Sequence, residues 1–146
     1  MSDLKEALLN KFIELFEYTP WNEDKKWVGN ALNNICQGKC SEDSLIAIID
    51  TSVSHNAKTG MVLSTDSVYV KEATNFTSKF IAKYEDIDYT NINQDRFLGA
   101  DITALELNMK YGSKYSISID KLSRRKLMEF LDYAKSLCNE DDKLEW

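Results

Sequence analysis

The sequence predicts an α+β domain, and two features of its pattern carry that prediction. Helical periodicity occupies both ends of the 146-residue chain, and between them runs a succession of short, β-branched or alternating segments. With one proline and five glycines, long flexible linkers are not expected. The expected architecture is an N-terminal helical hairpin over residues 1–40, then a bent antiparallel sheet or partly open barrel of six to seven strands. A C-terminal helix caps it within residues 41–138, and an acidic tail follows at 139–146, all in one compact domain.

The first helix is predicted over residues 3–17. Leu4, Leu8, Phe12, Leu15 and Phe16 recur at spacings of three and four, and Asp3 with Glu6 has the form of a capping box. Tyr18-Thr19-Pro20 ends it. A second helix fits 23–37, with Asn22 as its cap and Glu23 and Asp24 in its first turn. Val28, Ala31, Leu32 and Ile35 form its stripe, and Gly38 is its stop. The apolar faces of these two helices must pack on each other or on later elements of the chain. Trp21 and Trp27, beside the start of the second helix, are expected to form a lid on the core.

Leu45-Ile46-Ala47-Ile48-Ile49 is a fully apolar, β-branched run and reads as a buried strand. A polar loop follows over 51–60. Met61-Val62-Leu63 and Val68-Tyr69-Val70 flank Ser64-Thr65-Asp66-Ser67, a hairpin lacking the usual glycine. Residues 76–84 read as a strand with Phe76, Phe80, Ala82 and Tyr84 on one face and Lys79, Ile81 and Lys83 on the other. In residues 102–109, Ile102, Ala104, Glu106 and Asn108 oppose Leu105, Leu107 and Met109, with the register left open. After a turn at Tyr111-Gly112-Ser113-Lys114, Tyr115, Ile117 and Ile119 alternate cleanly. The closing helix, 121–138, gathers Leu127, Phe130, Leu131, Ala134, Leu137 and Cys138 on one face, with Asp120 or Ser123 as its cap.

Several of these segments resemble the bacterial pleckstrin-homology-like domains. The resemblance rests on Thr65-Asp66 before Val68-Tyr69-Val70-Lys71, on Lys83-Tyr84-Glu85-Asp86-Ile87, and on the later strands and closing amphipathic helix. It covers about residues 45–138, with the helical hairpin as an addition. It implies a bent sheet closed at one end by the last helix, in a fold used mainly as a binding scaffold. Relatives that bind phosphoinositides carry basic residues in the first strand-to-strand loop. Here Thr51–Thr59 holds only Lys58, so lipid binding does not carry over.

Charge narrows the partner class. The net charge is −6, distributed as −1 over residues 1–40, −5 over 41–120 and 0 over 121–146. A negative surface repels phosphate backbones and anionic lipid, so neither nucleic acid nor a membrane is the expected partner. The N-terminus reads as a helix start, not a signal peptide, and no apolar stretch has the length of a membrane span, so a cytoplasmic location is expected.

No cofactor, metal or catalytic set is expected. His55, the sole histidine, lies near Asp50, Ser52 and Ser54, but no nucleophile-elbow glycines surround the serines, and an exposed loop histidine is the favoured reading. Cys36 and Cys40 lack further ligands for zinc, and with Cys138 they read as small hydrophobes. Asp86-x-Asp88-x-Thr90 begins like a calcium loop and fails at Asn91 and Phe97. The basic cluster Lys121, Arg124, Arg125 and Lys126 is expected to be a solvated helix face.

The expected contact surface is the acidic, aromatic stretch of Tyr84, Glu85, Asp86, Asp88, Tyr89, Asp95, Phe97 and Asp101. Its acidic residues span seventeen positions with Arg96 as the one base. Aromatic anchors with steering charge suit a basic protein partner. The expected function is a non-catalytic protein-binding module, in one form an immunity or inhibitor protein that masks a basic toxin or enzyme. The alternatives are a regulatory domain that self-associates through its N-terminal helices and a small enzyme with carboxylate chemistry.

Overall fold

The computed structural model describes residues 2–16, 24–52, 54–71, 79–97, 100–118 and 123–144, with side chains for all of these except 2, 94–97, 100–103 and 139–144. Several expectations fall outside the described residues: the Pro20 break, Trp21, the Asn22 cap, Glu23, Phe76, Ile119, the Asp120 cap and Lys121. So do the side chains of Asp95, Phe97 and Asp101 and the end of the tail at 145–146.

The protein is α+β. The described elements run α1 (Ser2–Phe16), α2 (Lys25–Asn30) with a π-helical turn Ala31–Ile35, and a 3-10 turn Glu42–Ser44. Then come β1 (Leu45–Asp50), β2 (Gly60–Ser64), β3 (Ser67–Lys71) and β4 (Phe80–Lys83). After a 3-10 turn at Tyr84–Asp86 come β5 (Ile87–Phe97), β6 (Ala100–Met109), β7 (Lys114–Ile117) and α3 (Arg124–Leu144). Strands β1 to β4 form one antiparallel meander and β5 to β7 another.

The first sheet is buried on both faces, which explains why β1 is apolar from Leu45 to Ile49. Met61, Leu63, Val68, Val70, Phe80 and Ala82 point into the main core with Leu8 and Phe12 of α1 and Leu127, Phe130 and Leu131 of α3. The alternate residues Ile48, Val62 and Tyr69 point the other way, to a second core with Val28, Ala31 and Ile35. A bulge between Leu45 and Ala47 adjusts the β1 register to this division. The apolar faces of α1 and α2 therefore join different cores, and each packs on elements later in the chain. Phe130 stands edge-on to Phe12 at 6.1 Å and to Tyr84 at 6.5 Å, locking α1, α3 and the corner between the sheets together. Phe80 of β4 stacks on Tyr115 of β7 at 4.5 Å, joining the two sheets at another place.

Local chemistry refines the helix ends. α1 begins at Ser2, so Asp3 is not its cap but sits in the first turn, where its charge suits the helix dipole. α2 is shorter than expected and is capped by Asp24, whose carboxylate accepts from Lys26 N at 3.0 Å and Trp27 N at 3.3 Å. For α3 the cap is Ser123, whose hydroxyl accepts from Lys126 N. This helix runs to Leu144, through most of the segment expected to be a tail. No proline or glycine interrupts residues 124–144, so nothing stops its propagation at 138.

The β2–β3 hairpin manages without glycine because Ser64 organises it. Its buried hydroxyl accepts from Ser67 N at 3.0 Å and donates toward Asp66 Oδ1 and Ser67 O. Gly60 is different. Its φ is +139°, and a Cβ there would lie 2.0 Å from the Ile49 carbonyl oxygen. The close approach of β2 to β1 demands glycine.

No described helix is long and apolar enough to cross a membrane.

Candidate functional site

The expected contact stretch contains an element that the sequence pattern did not assign. Residues 87–97 form the eleven-residue strand β5. Asn91, Asn93, Asp88 and Asp95 are poor strand formers in isolation, and pairing along the whole of β6 overrides them. The strand positions the predicted residues unequally.

Tyr84 is not a surface anchor. It is fully buried, its hydroxyl donates to Ser64 O at 2.7 Å and its backbone N–H donates to Asp66 O at 3.0 Å. Burial pushes its phenol pKa well up. The residue fastens the inter-sheet corner to the β2–β3 turn. Asp86 is half-buried, and its carbonyl accepts from Lys110 N at 2.8 Å. Glu85 and Asp88 are exposed.

A bulge separates Ile87, paired with Met109, from Tyr89, paired with Asn108. The extra residue is Asp88. It breaks the alternation, so that Asp88 and Tyr89 both face solvent, with Tyr89 57% exposed. The Asp88 carbonyl accepts from Lys135 Nζ, and Thr90 Oγ1 donates to Asp132 Oδ1 at 2.7 Å, so α3 holds this end of the strand in place.

Beyond the bulge, the outer face of the second sheet carries a polar network. Glu106 of β6 is 9% exposed and accepts from Asn91 Nδ2 at 3.0 Å and Asn93 Nδ2 at 3.3 Å, with Lys114 Nζ at 3.8 Å. Asn108 Nδ2 donates to Asn91 Oδ1 at 2.7 Å and toward Tyr89 O at 3.3 Å. The Asn91 hydrogen bond above all, then that of Asn93 and the charge of Lys114, hold the Glu106 carboxyl below its usual range against the effect of its burial. None of these side chains belongs to either described core. Tyr111, 58% exposed, lies at the β6–β7 turn with its hydroxyl 3.4 Å from that of Tyr115.

The structure thus sets Asp88 and Tyr89 on one sheet, with Glu85 in the turn that leads into it, and adds Asn91, Asn93, Glu106, Asn108 and Lys114, with Tyr111 in the β6–β7 turn. The alternation of Glu106 and Asn108 against Leu105 and Leu107 was a legible signal for part of this face. The β5 residues gave none without their partner strand. Asp95, Phe97 and Asp101 lie farther along the β5–β6 ribbon, in register with Ile102, Ala100 and Arg96 respectively. That register sets the one base of the stretch across from an acid. In the basic cluster, Arg124 is half-buried with Nη2 donating to Ser118 O at 3.4 Å, and Arg125 and Lys126 are exposed.

The loop bearing His55 is organised by Asp50. This buried carboxylate accepts from Ser52 Oγ at 2.5 Å, Ser52 N at 2.9 Å, Trp27 Nε1 at 3.0 Å and Ala57 N at 3.1 Å. Burial raises its pKa, but these hydrogen bonds, that of the Ser52 hydroxyl foremost, outweigh it and hold the group below the ordinary aspartate range. His55 and Ala57 take left-handed φ values of 54° and 59° to fold the loop over the carboxylate. The Ser52 hydroxyl donates to Asp50 Oδ1 and accepts from Asn56 N at 2.9 Å. The exposed imidazole borders a shallow cleft of about 180 Å³ with Trp27, Asn30 and Asn56. Among the described residues no group of three or more His, Cys, Asp or Glu side chains could hold a metal.

Comparison with family models, with curated proteins and with solved structures found no match for this chain.

Proposed function

We propose that the protein is a non-catalytic binding module for a basic protein, and that the outer face of the β5–β6–β7 sheet around Tyr89 is its contact surface. The observation that carries this reading is the bulge at Asp88. It turns an acidic side chain and a large aromatic out together, next to a hydrogen-bonded polar face, with Glu85 exposed in the turn that leads into the strand. An exposed tyrosine offers amphipathic contact area at low entropic cost, and the Asn91–Glu106–Asn108 network is already ordered, so little is lost on binding. Acidic groups around the anchor would steer a basic partner. A four-strand meander, a three-strand meander and a closing helix also suit the pleckstrin-homology-like scaffold that the sequence resembles. One concrete form is an immunity or inhibitor protein that masks a basic toxin or enzyme in the cytoplasm.

The test is a photo-crosslinking amino acid placed at position 89, with position 13 on α1 as a control surface. The expected product is a basic protein captured at 89 and not at 13, with capture weakening as salt rises. Reversal of charge in E85K/D88K should abolish it. A partner that binds equally well after that reversal, or that crosslinks equally at both positions, would refute the proposal.

A further inference from the structure

The Cys36–Cys40 turn lies on the opposite side of the first sheet from the main core and plays no part in the contact face around Tyr89. Its geometry is unusual. The π-helical turn ends with Cys36 N bonded to Ala31 O, and Gly38 N then reaches back to Leu32 O at 2.9 Å. Gln37 and Gly38 both take left-handed φ values, 56° and 74°, and Lys39 N closes a turn onto Cys36 O at 2.9 Å. Two successive left-handed residues reverse the chain tightly. The reversal turns Cys40 back toward Cys36, so that both side chains lie in the second core, and the Cys40 thiol donates to Ser41 O at 3.4 Å.

The two sulfurs are not equivalent. Cys36 is fully buried in the second core, whereas Cys40 is 9% exposed. Cys40 also lines an open cleft of about 330 Å³ with Lys39, Ser44, Asp66 and Tyr69. A small solute can reach Cys40, and Cys36 waits behind it. We propose that Cys36 and Cys40 are a dithiol modification site for a small hydroperoxide, with Cys40 the attacking thiol and Cys36 the resolving one.

The chemistry balances in two steps. The Cys40 thiolate attacks the terminal peroxide oxygen; the O–O bond breaks, and a proton goes to the departing oxygen. Hydrogen peroxide gives water and an alkyl hydroperoxide gives an alcohol, leaving Cys40 as a sulfenic acid. The Cys36 thiol then attacks that sulfur, its proton leaves with the hydroxyl as water, and a disulfide forms. The dithiol has lost two electrons to the O–O bond. The neighbouring Cys36 thiol lowers the Cys40 pKa, against the opposing effects of burial and Asp66, while Cys40 and burial together raise that of Cys36. That asymmetry favours thiolate at the accessible sulfur.

The full chain has three cysteines, Cys36, Cys40 and Cys138, so Cys138 serves as an internal control. Reduced protein is exposed to hydrogen peroxide, quenched by alkylation and mapped by peptide mass spectrometry. The expected product links Cys36 to Cys40 and leaves Cys138 alkylated, forming at least about tenfold faster in the folded chain than in urea. In C36S, a sulfenic acid should accumulate at Cys40 and be trapped by dimedone. In C40S, Cys36 should remain reduced. A C138S chain, which leaves the turn untouched, should behave as the parent. A disulfide to Cys138, oxidation of Cys36 that proceeds unchanged in C40S, or equal rates in folded and unfolded chains would overturn the proposal.

Discussion

Replacing Asp50 by alanine removes an acceptor on which at least four hydrogen bonds converge. Oδ1 takes the Ser52 hydroxyl and backbone N–H, and Oδ2 takes Trp27 Nε1 and Ala57 N. Ser52 is half-buried and can turn to water, but Ala57 is fully buried and Trp27 is packed against the second core. Stranding a buried donor costs about 1–3 kcal/mol. Two such donors, less what water recovers, give about 3–4 kcal/mol. Set against a typical domain stability of about 5–15 kcal/mol, that is a large fraction. The D50N variant should cost nearly as much, because its NH2 must face one of the two donor pairs. Urea unfolding followed by far-UV circular dichroism measures both losses. A D50A/W27F cycle should show a coupling of about 1 kcal/mol or more, since the two groups share a hydrogen bond. A D50A loss under about 1 kcal/mol would refute the view that the carboxylate organises this loop.

Three other perturbations have outcomes set by the same structure. Gly60→Ala should destabilise by at least about 3 kcal/mol, or prevent folding, because of the close Ile49 carbonyl and the positive φ; a urea midpoint matching the parent would contradict this. Tyr84→Phe should cost about 1–2 kcal/mol, by leaving the Ser64 carbonyl without its donor, and should leave partner capture at position 89 intact; the same urea titration and crosslink read both. Asp50 and Glu106 both have carboxyls held below their unfolded values, so their contribution is complete above about pH 5 and is lost as pH falls through the unfolded and then the folded pKa values. Stability measured against pH should therefore fall in acid, and D50N/E106Q should flatten that fall; an unchanged slope would contradict the assignment.

Much of the fold was legible along the chain. The fully apolar run at 45–49, the hairpin around Ser64–Ser67 and the stripes of α1 and α3 are patterns of burial, and burial repeats with the period of the element that carries it. Strand β5 was not legible, because its outward residues are Asn and Asp and its strand character comes from hydrogen bonds to β6. The contact face was half visible. Glu85, Asp88 and Tyr89 announced themselves by composition, whereas Asn91, Asn93 and Tyr111 acquired a role only once β6 and β7 lay beside them.

Tyr84 shows where the division falls. The sequence by itself determined that an aromatic residue ends a strand and enters an acidic turn. Whether that ring faced solvent or core depended on Phe130 from α3 and the Ser64 carbonyl, both distant in the chain. Cys36 and Cys40 divide the same way: their spacing was plain, but the left-handed turn that brings both into one core and the cleft that admits solvent to one of them arise only in the folded chain. Local periodicity records which residues need burial, so element type and core membership could be read from sequence. Juxtaposition of polar groups is set by long-range pairing, which leaves no period in the chain, so the site was decided by the tertiary structure.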